Sequence, residues 1–425
     1  MTGFVEKNNE LYCDDVSVAS IARKHGTPAY IYSANHIRSQ YEALSGAMAA
    51  ALPADKLPLI CFACKANSNL AVLSVIKNCG AGLEIVSQGE LVRGLRAGFK
   101  PEHIVSTGVG KTRREIAAAL KAGILQFNAE SVEEVEIIQN VAAEIDIAAT
   151  VVFRKNPDID GAGGHAKIST GGKRNKFGVG PEAIMRGYAL AAEMSHVNVV
   201  GLSMHIGSQV FDVNKFKEAF ETLPSFVAEL RGAGHEVSRL DIGGGFPIQY
   251  RNETLLDLSS YAEWVRDIIL PLEADLILEP GRYLVGNAGV LVSEVNLVKK
   301  TADKNFLVVD AGMTDLMRPA LYDAYHGIEA VENRERGVAA YDVVGPVCES
   351  SDTFCDSETR EIPALEAGDL IAIKSAGAYG FCMASNYNTR PFIPEVLVDG
   401  DKVAVINARQ EIDDIFARES IPDWL

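Results

Sequence analysis

Lys65 closes the apolar run LPLICFAC (57–64), a setting in which an ammonium without a partner would be costly to bury. A primary amine placed there suits covalent chemistry with a carbonyl; as a purely structural residue it would instead snorkel its head group to solvent. Three further polar clusters each follow an apolar, strand-like segment: HIGSQ (205–209), GGGFP (243–247) and EPGR (279–282). The glycines of GGGFP let backbone N–H groups approach an anion closely, although a triple glycine also makes a tight turn. Glu279 ends an apolar segment and needs a cationic partner, which a protonated pyridine nitrogen or Arg282 could supply. Arg282 is equally suited to a phosphate or a substrate carboxylate, with Gly281 between the two charges. His205 could cover a flat ring or move a proton, and Ser208 offers a hydroxyl to a phosphate. Taken together, an amine, a buried carboxylate, an imidazole and a glycine-rich loop are what pyridoxal 5'-phosphate requires.

These residues need a scaffold that brings strand ends together. From residue 57 short apolar runs alternate with helical patterns, the mark of parallel βα units. Strands are expected at 57–64, 82–86, 103–106, 123–127, 147–153, 197–204, 238–242 and 275–279. Ser87 with Glu90, and Ser131 with Glu134, have capping-box spacing directly after a strand. Eight such units predict an α/β fold, a (β/α)8 TIM barrel over 35–285 with its chemistry at the C-terminal strand ends. Lys65, His205, Gly244, Gly245 and Glu279 all fall there. After EPGR the segments turn β-rich: VLVSEVNLVKK (290–300), FLVVDAG (306–312), DLIAIKSAGAYG (369–380) and KVAVINAR (402–409). A mainly antiparallel β domain, of sandwich or Greek-key barrel type, is expected from 286–425 together with 1–34, which contains LYCDDVSV and AYIYS.

With 425 residues and 48% hydrophobic content the chain can bury a large core. A net charge of −17 repels nucleic-acid phosphates and anionic membranes, leaving a small-molecule partner. No apolar stretch is long enough to span a bilayer and the N-terminus has no signal core, so a cytoplasmic location is expected. Seven scattered cysteines read as reduced thiols. Cys61 and Cys64 form a CxxC, but neither a second CxxC nor a nearby histidine completes a zinc set, and no metal is expected. TGVGKT (107–112) fails as a P-loop because Val105 stands where the first glycine belongs.

From FACKANSNLAVL (62–73) to ASNYNTRPFIPEVLVDG (384–400), the chain resembles the fold-type III, alanine-racemase-like family of pyridoxal-phosphate enzymes, and within it the diaminopimelate decarboxylases. The resemblance implies that Lys65 carries the cofactor and His205 faces its ring. It assigns Ser208, Gly244 and Gly245 to the phosphate region, Glu279 to the pyridinium, Arg154 to the ring oxygen and Tyr379 to the phosphate and substrate. Cys348, in PVCESSD (346–352), is implied as the acid that reprotonates the product carbon, with Glu349 contacting substrate. In the family these two reach the partner's site, so a homodimer with shared active sites is implied. A substrate with a distal carboxylate and a distal ammonium needs a cationic fork and an acid. Arg318 and Tyr322, in RPALYDAYH (318–326), with Glu349 and Arg282, match the family's positions for meso-diaminopimelate. Release of carbon dioxide from it would give L-lysine, the last step of lysine biosynthesis. A decarboxylase of carboxynorspermidine, ornithine or arginine is the alternative, and the region around Arg318 and Glu349 discriminates. A racemase of this fold class pairs its ring nitrogen with arginine, against which Glu279 argues. A non-catalytic carrier would lack the second domain. HAKISTGGKRNKFG (165–178) resembles the loop covering the family's site, with Lys167 where an aromatic usually precedes Ile168.

Overall fold

The computed structural model describes residues 3–159, 176–355 and 358–425. They form two compact units: Arg38–Ile248 with Glu253–Leu284, and Met1–Ile37 with Gln249–Asn252 and Val285–Leu425. The tetrapeptide Gln249–Asn252, inside the span expected for the barrel, clusters with the second unit.

Eight parallel strands close the first unit: β1 (Leu59–Ala63), β2 (Gly82–Ile85), β3 (Ile104–Ser106), β4 (Gln126–Ala129), β5 (Ala149–Arg154), β6 (Val197–Ser203), β7 (Arg239–Asp241) and β8 (Asp275–Leu278). Each pairs with the next in sequence and β8 returns to β1. This is the (β/α)8 barrel the alternating pattern predicts. Every residue of β2, β3 and β4 is buried, because one face of each strand lines the barrel interior and the other meets the helices. Glu84, Gln126 and Asn128, polar residues of β2 and β4, are buried with the rest of their strands and must find partners inside the protein.

Capping fixes where each strand hands over to its helix. The Ser87 and Ser131 hydroxyls accept from the N–H of Glu90 and Glu134 at 3.2 and 3.1 Å. The two glutamates reach one residue further back than a capping box requires, accepting from Val86 and Glu130 N–H at 2.7 Å. The fourth strand begins three residues later than expected. Gly123 is the left-handed C-cap (φ 75°) of helix Arg113–Ala122, its N–H bonding Ala119 and Leu120 carbonyls. The chain turns at 123–125, and Asn128 falls within the strand.

The second unit holds a nine-stranded sheet. Ala29–Ser33 runs antiparallel to Gly289–Lys300 and parallel to Glu395–Asp399. Asn305–Val309 pairs antiparallel with Gly289–Lys300 and parallel with Val338–Val344. The remaining ladders are antiparallel, so the sheet is mixed but mainly antiparallel. One face packs Ile31, Val290, Val292, Val396 and Val398 against Val18 and Ile21 of helix Val18–His25. Phe4–Lys7, Glu10–Cys13 and Val16–Ser17 form a separate three-stranded sheet. Among the described residues no helix is long and apolar enough to cross a membrane.

Candidate active site

Lys65 lies in a single 3-10 turn, Cys64–Ala66, directly after β1. Its Nζ sits 3.1 and 3.0 Å from the two carboxylate oxygens of Glu84 on β2. Glu84 is fully buried while the Lys65 side chain is 43% exposed. The ammonium is thus tethered at the barrel mouth with a face open to solvent, neither buried alone nor drawn away. The turn is held by Ala63 N–H donating to the Pro280 carbonyl at 3.0 Å. At Gly281 an added Cβ would fall 3.0 Å from Ala63 Cβ, so this glycine lets the end of β8 close on the Lys65 turn. Glu84 was absent from the sequence-derived candidates; its signal was a carboxylate inside the apolar strand GLEI.

Glu279 follows β8 and donates its N–H to the Gly243 carbonyl at 2.7 Å. Its Oε1 accepts from the Thr107 hydroxyl at 3.0 Å and from Asn128 Nδ2 at 3.2 Å. Asn128 Nδ2 also lies 2.8 Å from Asp241 Oδ2, and Asp241 Oδ1 accepts from Gly243 N–H at 3.0 Å. Burial, then the nearby Asp241 and Glu84, drives Glu279 well above the ordinary carboxylate range, with Lys65 opposing. Burial pushes Asp241 up to about 6 against its hydrogen bonds. Ionising both acids in this environment is costly, which favours one proton held between them. Asp241, Asn128 and Thr107 were also not among the sequence-derived residues. Asp241 directly precedes the IGGG segment, inside the strand expected at 238–242.

His205 receives the Gly244 N–H on Nδ1 at 3.3 Å. Burial, with the cations Arg154 and Lys65, holds its imidazole well below the usual value, so the ring is neutral with its proton on Nε2. Gly243 and Gly245 have φ of 71° and 108°. A Cβ on Gly244 would fall 2.1 Å from the Glu279 carbonyl oxygen, so the turn admits no side chain there. Ser208 Oγ accepts from Arg282 at 3.2 Å, bringing those two predicted residues together. Arg154, the last residue of β5, donates to Glu130 Oε1 at 2.7 Å and lies 4.8 Å over the Phe177 ring. Glu130 also accepts from Gly178 N–H at 2.7 Å, fixing the guanidinium's counter-ion.

The other predicted residues belong to the second unit. Arg318 is buried and its NH1 meets the Tyr250 hydroxyl and His326 Nε2, both at 2.9 Å. His326 Nδ1 lies 2.7 Å from the Lys374 carbonyl, so Nδ1 carries the proton and Nε2 accepts from the arginine. Tyr322 and Tyr379 are half-buried, and Tyr379 adopts φ 55°. Cys348 is exposed, against the buried setting usual for a free cysteine, and its N–H donates to Asn388 Oδ1 at 2.8 Å. Exposed Glu349 accepts from the Tyr387 hydroxyl at 3.3 Å. The covering loop around Lys167 and Ile168 lies outside the described residues, apart from Lys176–Gly178.

Residues 35–286 match the family model described as the pyridoxal binding domain of pyridoxal-dependent decarboxylases. Over 99% of both chains the sequence is 45% identical to diaminopimelate decarboxylase from Pseudomonas aeruginosa. The chain belongs to the diaminopimelate decarboxylase family. Among solved members, diaminopimelate decarboxylase from Helicobacter pylori, complexed with L-lysine, superposes with a TM-score of 0.88 at 40% identity over 94% of this chain and 98% of that one. The M. jannaschii enzyme in co-complex with L-lysine gives 0.92 at 35% identity over the whole of both chains. For members of this family pyridoxal 5'-phosphate is the cofactor, and the residues present fit it. A primary amine, a buried acid pair and a turn whose backbone N–H groups no Cβ can cover share one barrel mouth.

Proposed function

We propose that this protein decarboxylates meso-2,6-diaminopimelate to L-lysine and carbon dioxide, acting in the cytoplasm as a homodimer. The observation that carries this reading is the coincidence, at one barrel mouth, of an amine tethered to a buried carboxylate and a buried pair of acids, Glu279 and Asp241, bridged by Asn128. Full-length likeness to diaminopimelate decarboxylases supports the choice of substrate.

Bound pyridoxal 5'-phosphate supplies an electron sink for the carbanion left by departing carbon dioxide. The chain's own residues do the rest. Lys65 would hold the cofactor through its amine, and Glu84 would keep that amine at the mouth whenever it is released from the cofactor. Glu279 would partner the ring nitrogen, whose positive charge would offset the burial that otherwise holds a proton on this acid. His205, whose imidazole is held neutral, would cover the ring without adding charge to it. Ser208, Gly244, Gly245, Gly281 and Arg282 serve the phosphate, with Tyr379, while Arg154 serves the ring oxygen.

Arg318, with Tyr322, Tyr379 and Arg282, receives the substrate's carboxylates, and Glu349 its distal ammonium. Tyr250 and His326 both hold the Arg318 NH1 group, so its fork is oriented before substrate arrives. Cys348 delivers the proton to the product carbon, and it does so with Glu349 from the partner subunit. Its exposure supports that assignment, since an enclosed thiol could not reach a neighbouring chain.

Carbon dioxide release by the cofactor-loaded protein from meso-diaminopimelate, ornithine, arginine and carboxynorspermidine tests the reading, with product chirality recorded. Release from diaminopimelate alone, yielding L-lysine, is expected. Release from one of the other amines alone would reject the substrate, and none from any would reject the reaction.

A further inference from the structure

The barrel interior contains a chain of side chains that runs from its N-terminal end to the acid pair. Arg239, the first residue of β7, donates from NH1 to Gln126 Oε1 at 3.0 Å. Gln126 Nε2 donates to Asn128 Oδ1 at 2.7 Å. Asn128 Nδ2 then donates to Asp241 at 2.8 Å and to Glu279 at 3.2 Å. Gln126, Asn128 and Asp241 are at most 1% exposed, so bulk solvent does not compete for their bonding. At its outer end Arg239 lines a cavity of about 310 Å³ with Asp275 and His103.

The direction of this chain is forced. A side-chain amide can present either its oxygen or its nitrogen, and a carboxylic acid can donate or accept. Arginine can only donate. Arg239 therefore requires the oxygen of Gln126, which turns the Gln126 nitrogen to Asn128, which in turn directs the Asn128 nitrogen at both acids. Hydrogen bonds aligned head to tail polarise one another, so the guanidinium charge is felt at the far end as a firmer N–H donor. A second fixture holds the Asn128 backbone. The buried ammonium of Lys111, in the segment that failed as a P-loop, donates to the carbonyls of Gly108 and Asn128, both at 2.8 Å, and to Glu134.

We propose that Arg239, at the opposite end of the barrel from Lys65, is a positioning residue for the cofactor-facing acid pair: through Gln126 and Asn128 it fixes both amides so that Glu279 and Asp241 always meet an N–H. The inference rests on the reading that Glu279 faces the ring nitrogen. Without Arg239 the two amides can invert together and present oxygen to the acids. Glu279 would then keep its proton more often and partner the ring nitrogen less well. The other titratable groups facing the pair are Glu84 on β2, Cys61 on β1 and Lys65.

The test uses the cofactor-loaded protein and reads three quantities: the visible absorbance band of bound cofactor between pH 6 and 9, the cofactor dissociation constant, and kcat and KM. Arg239→Met is expected to shift the band or its pH dependence and to weaken cofactor binding about tenfold. It should lower kcat about tenfold with KM within twofold, as for loss of one charge-assisted donor. Arg239→Lys, which still only donates, should restore all three. Gln126→Glu keeps the volume and the partner for Arg239 but cannot donate to Asn128, so it should reproduce the Arg239→Met changes even if that variant fails to fold. Wild-type band, affinity and kcat in Gln126→Glu would overturn the proposal, as would failure of Arg239→Lys to restore a folded Arg239→Met. Band and affinity are measured without substrate. Absence of decarboxylation by the wild type would therefore reject the substrate reading alone, whereas absence of cofactor binding would reject both.

Discussion

Gly244→Ala isolates the close approach on which the barrel mouth depends. The new Cβ would lie 2.1 Å from the Glu279 carbonyl oxygen and 2.9 Å from its carbonyl carbon. Carbon–oxygen contacts settle at about 3.3 Å, so the turn after β7 must retreat by about 1 Å from the end of β8. Both sides of the clash are backbone, and no rotamer relieves it. The same ends are joined by Glu279 N–H donating to the Gly243 carbonyl at 2.7 Å, and that bond must stretch as they part. Overpacking of this kind costs about 1–3 kcal/mol of stability. The functional loss should be larger, because a displacement of about 1 Å in a catalytic group can cost about 100-fold. Gly46→Ala is the control, since it lies exposed in helix Ala34–Ala51 with nothing within 4 Å of the added methyl. It should gain about 0.5–1 kcal/mol through helix propensity alone. Thermal unfolding, cofactor dissociation and kcat are to be compared across both variants and wild type. A Gly244→Ala protein with wild-type cofactor affinity and kcat within threefold would refute the argument that this approach builds the site.

Lys111→Met removes one partner of a pair whose side chains are 5% and 9% exposed, leaving Glu134 and two carbonyls short of a donor; chemical denaturation should show a loss of about 3–5 kcal/mol. Burial pushes Asp315 up to about 6 from an ordinary value of 3.8, so between those values the folded state binds more protons than the unfolded one and stability falls as pH rises. Asp315→Asn should accordingly raise the melting temperature at pH 8, by up to the equivalent of about 3 kcal/mol, with the gain gone by pH 4; an equal gain at both would contradict this. If Cys348 serves the partner's site, mixing inactive Lys65→Ala with inactive Cys348→Ala and allowing subunits to exchange should return activity to roughly a quarter of the sites, whereas no recovery after demonstrated exchange would place both residues in one subunit's site.

Much of this architecture was legible because parallel strands buried on both faces read as continuous apolar runs. Length and spacing of those runs set the barrel, and the chemistry then had to lie at their C-terminal ends, where Lys65, His205, Gly244 and Glu279 were found in sequence. Partners inside the barrel were harder to see. Glu84 and Asp241 each carry a charge within or at the end of a short strand, and which side chains face them follows from strand order around the closed barrel, a long-range property. Asn128 was hidden for a local reason: with Gly123 read as strand rather than as a helix cap, the expected strand stopped at Phe127. Lys111 was recognisable as part of a failed nucleotide motif, yet its ion pair with Glu134 joins two βα turns that only the barrel makes neighbours. In the second unit, Arg318 was found by matching motifs, while the Tyr250 and His326 contacts that orient it required the fold.

The account stands on Lys65 as the residue that holds the cofactor. Reducing the cofactor-loaded protein with borohydride and mapping the modified peptide by mass spectrometry reads this directly. One pyridoxyl group per chain, on Lys65 within FACKANSNLAVL, is the predicted result. Modification confined to another lysine, such as Lys111 or Lys155, or no stable modification of protein that had bound the cofactor, would contradict it.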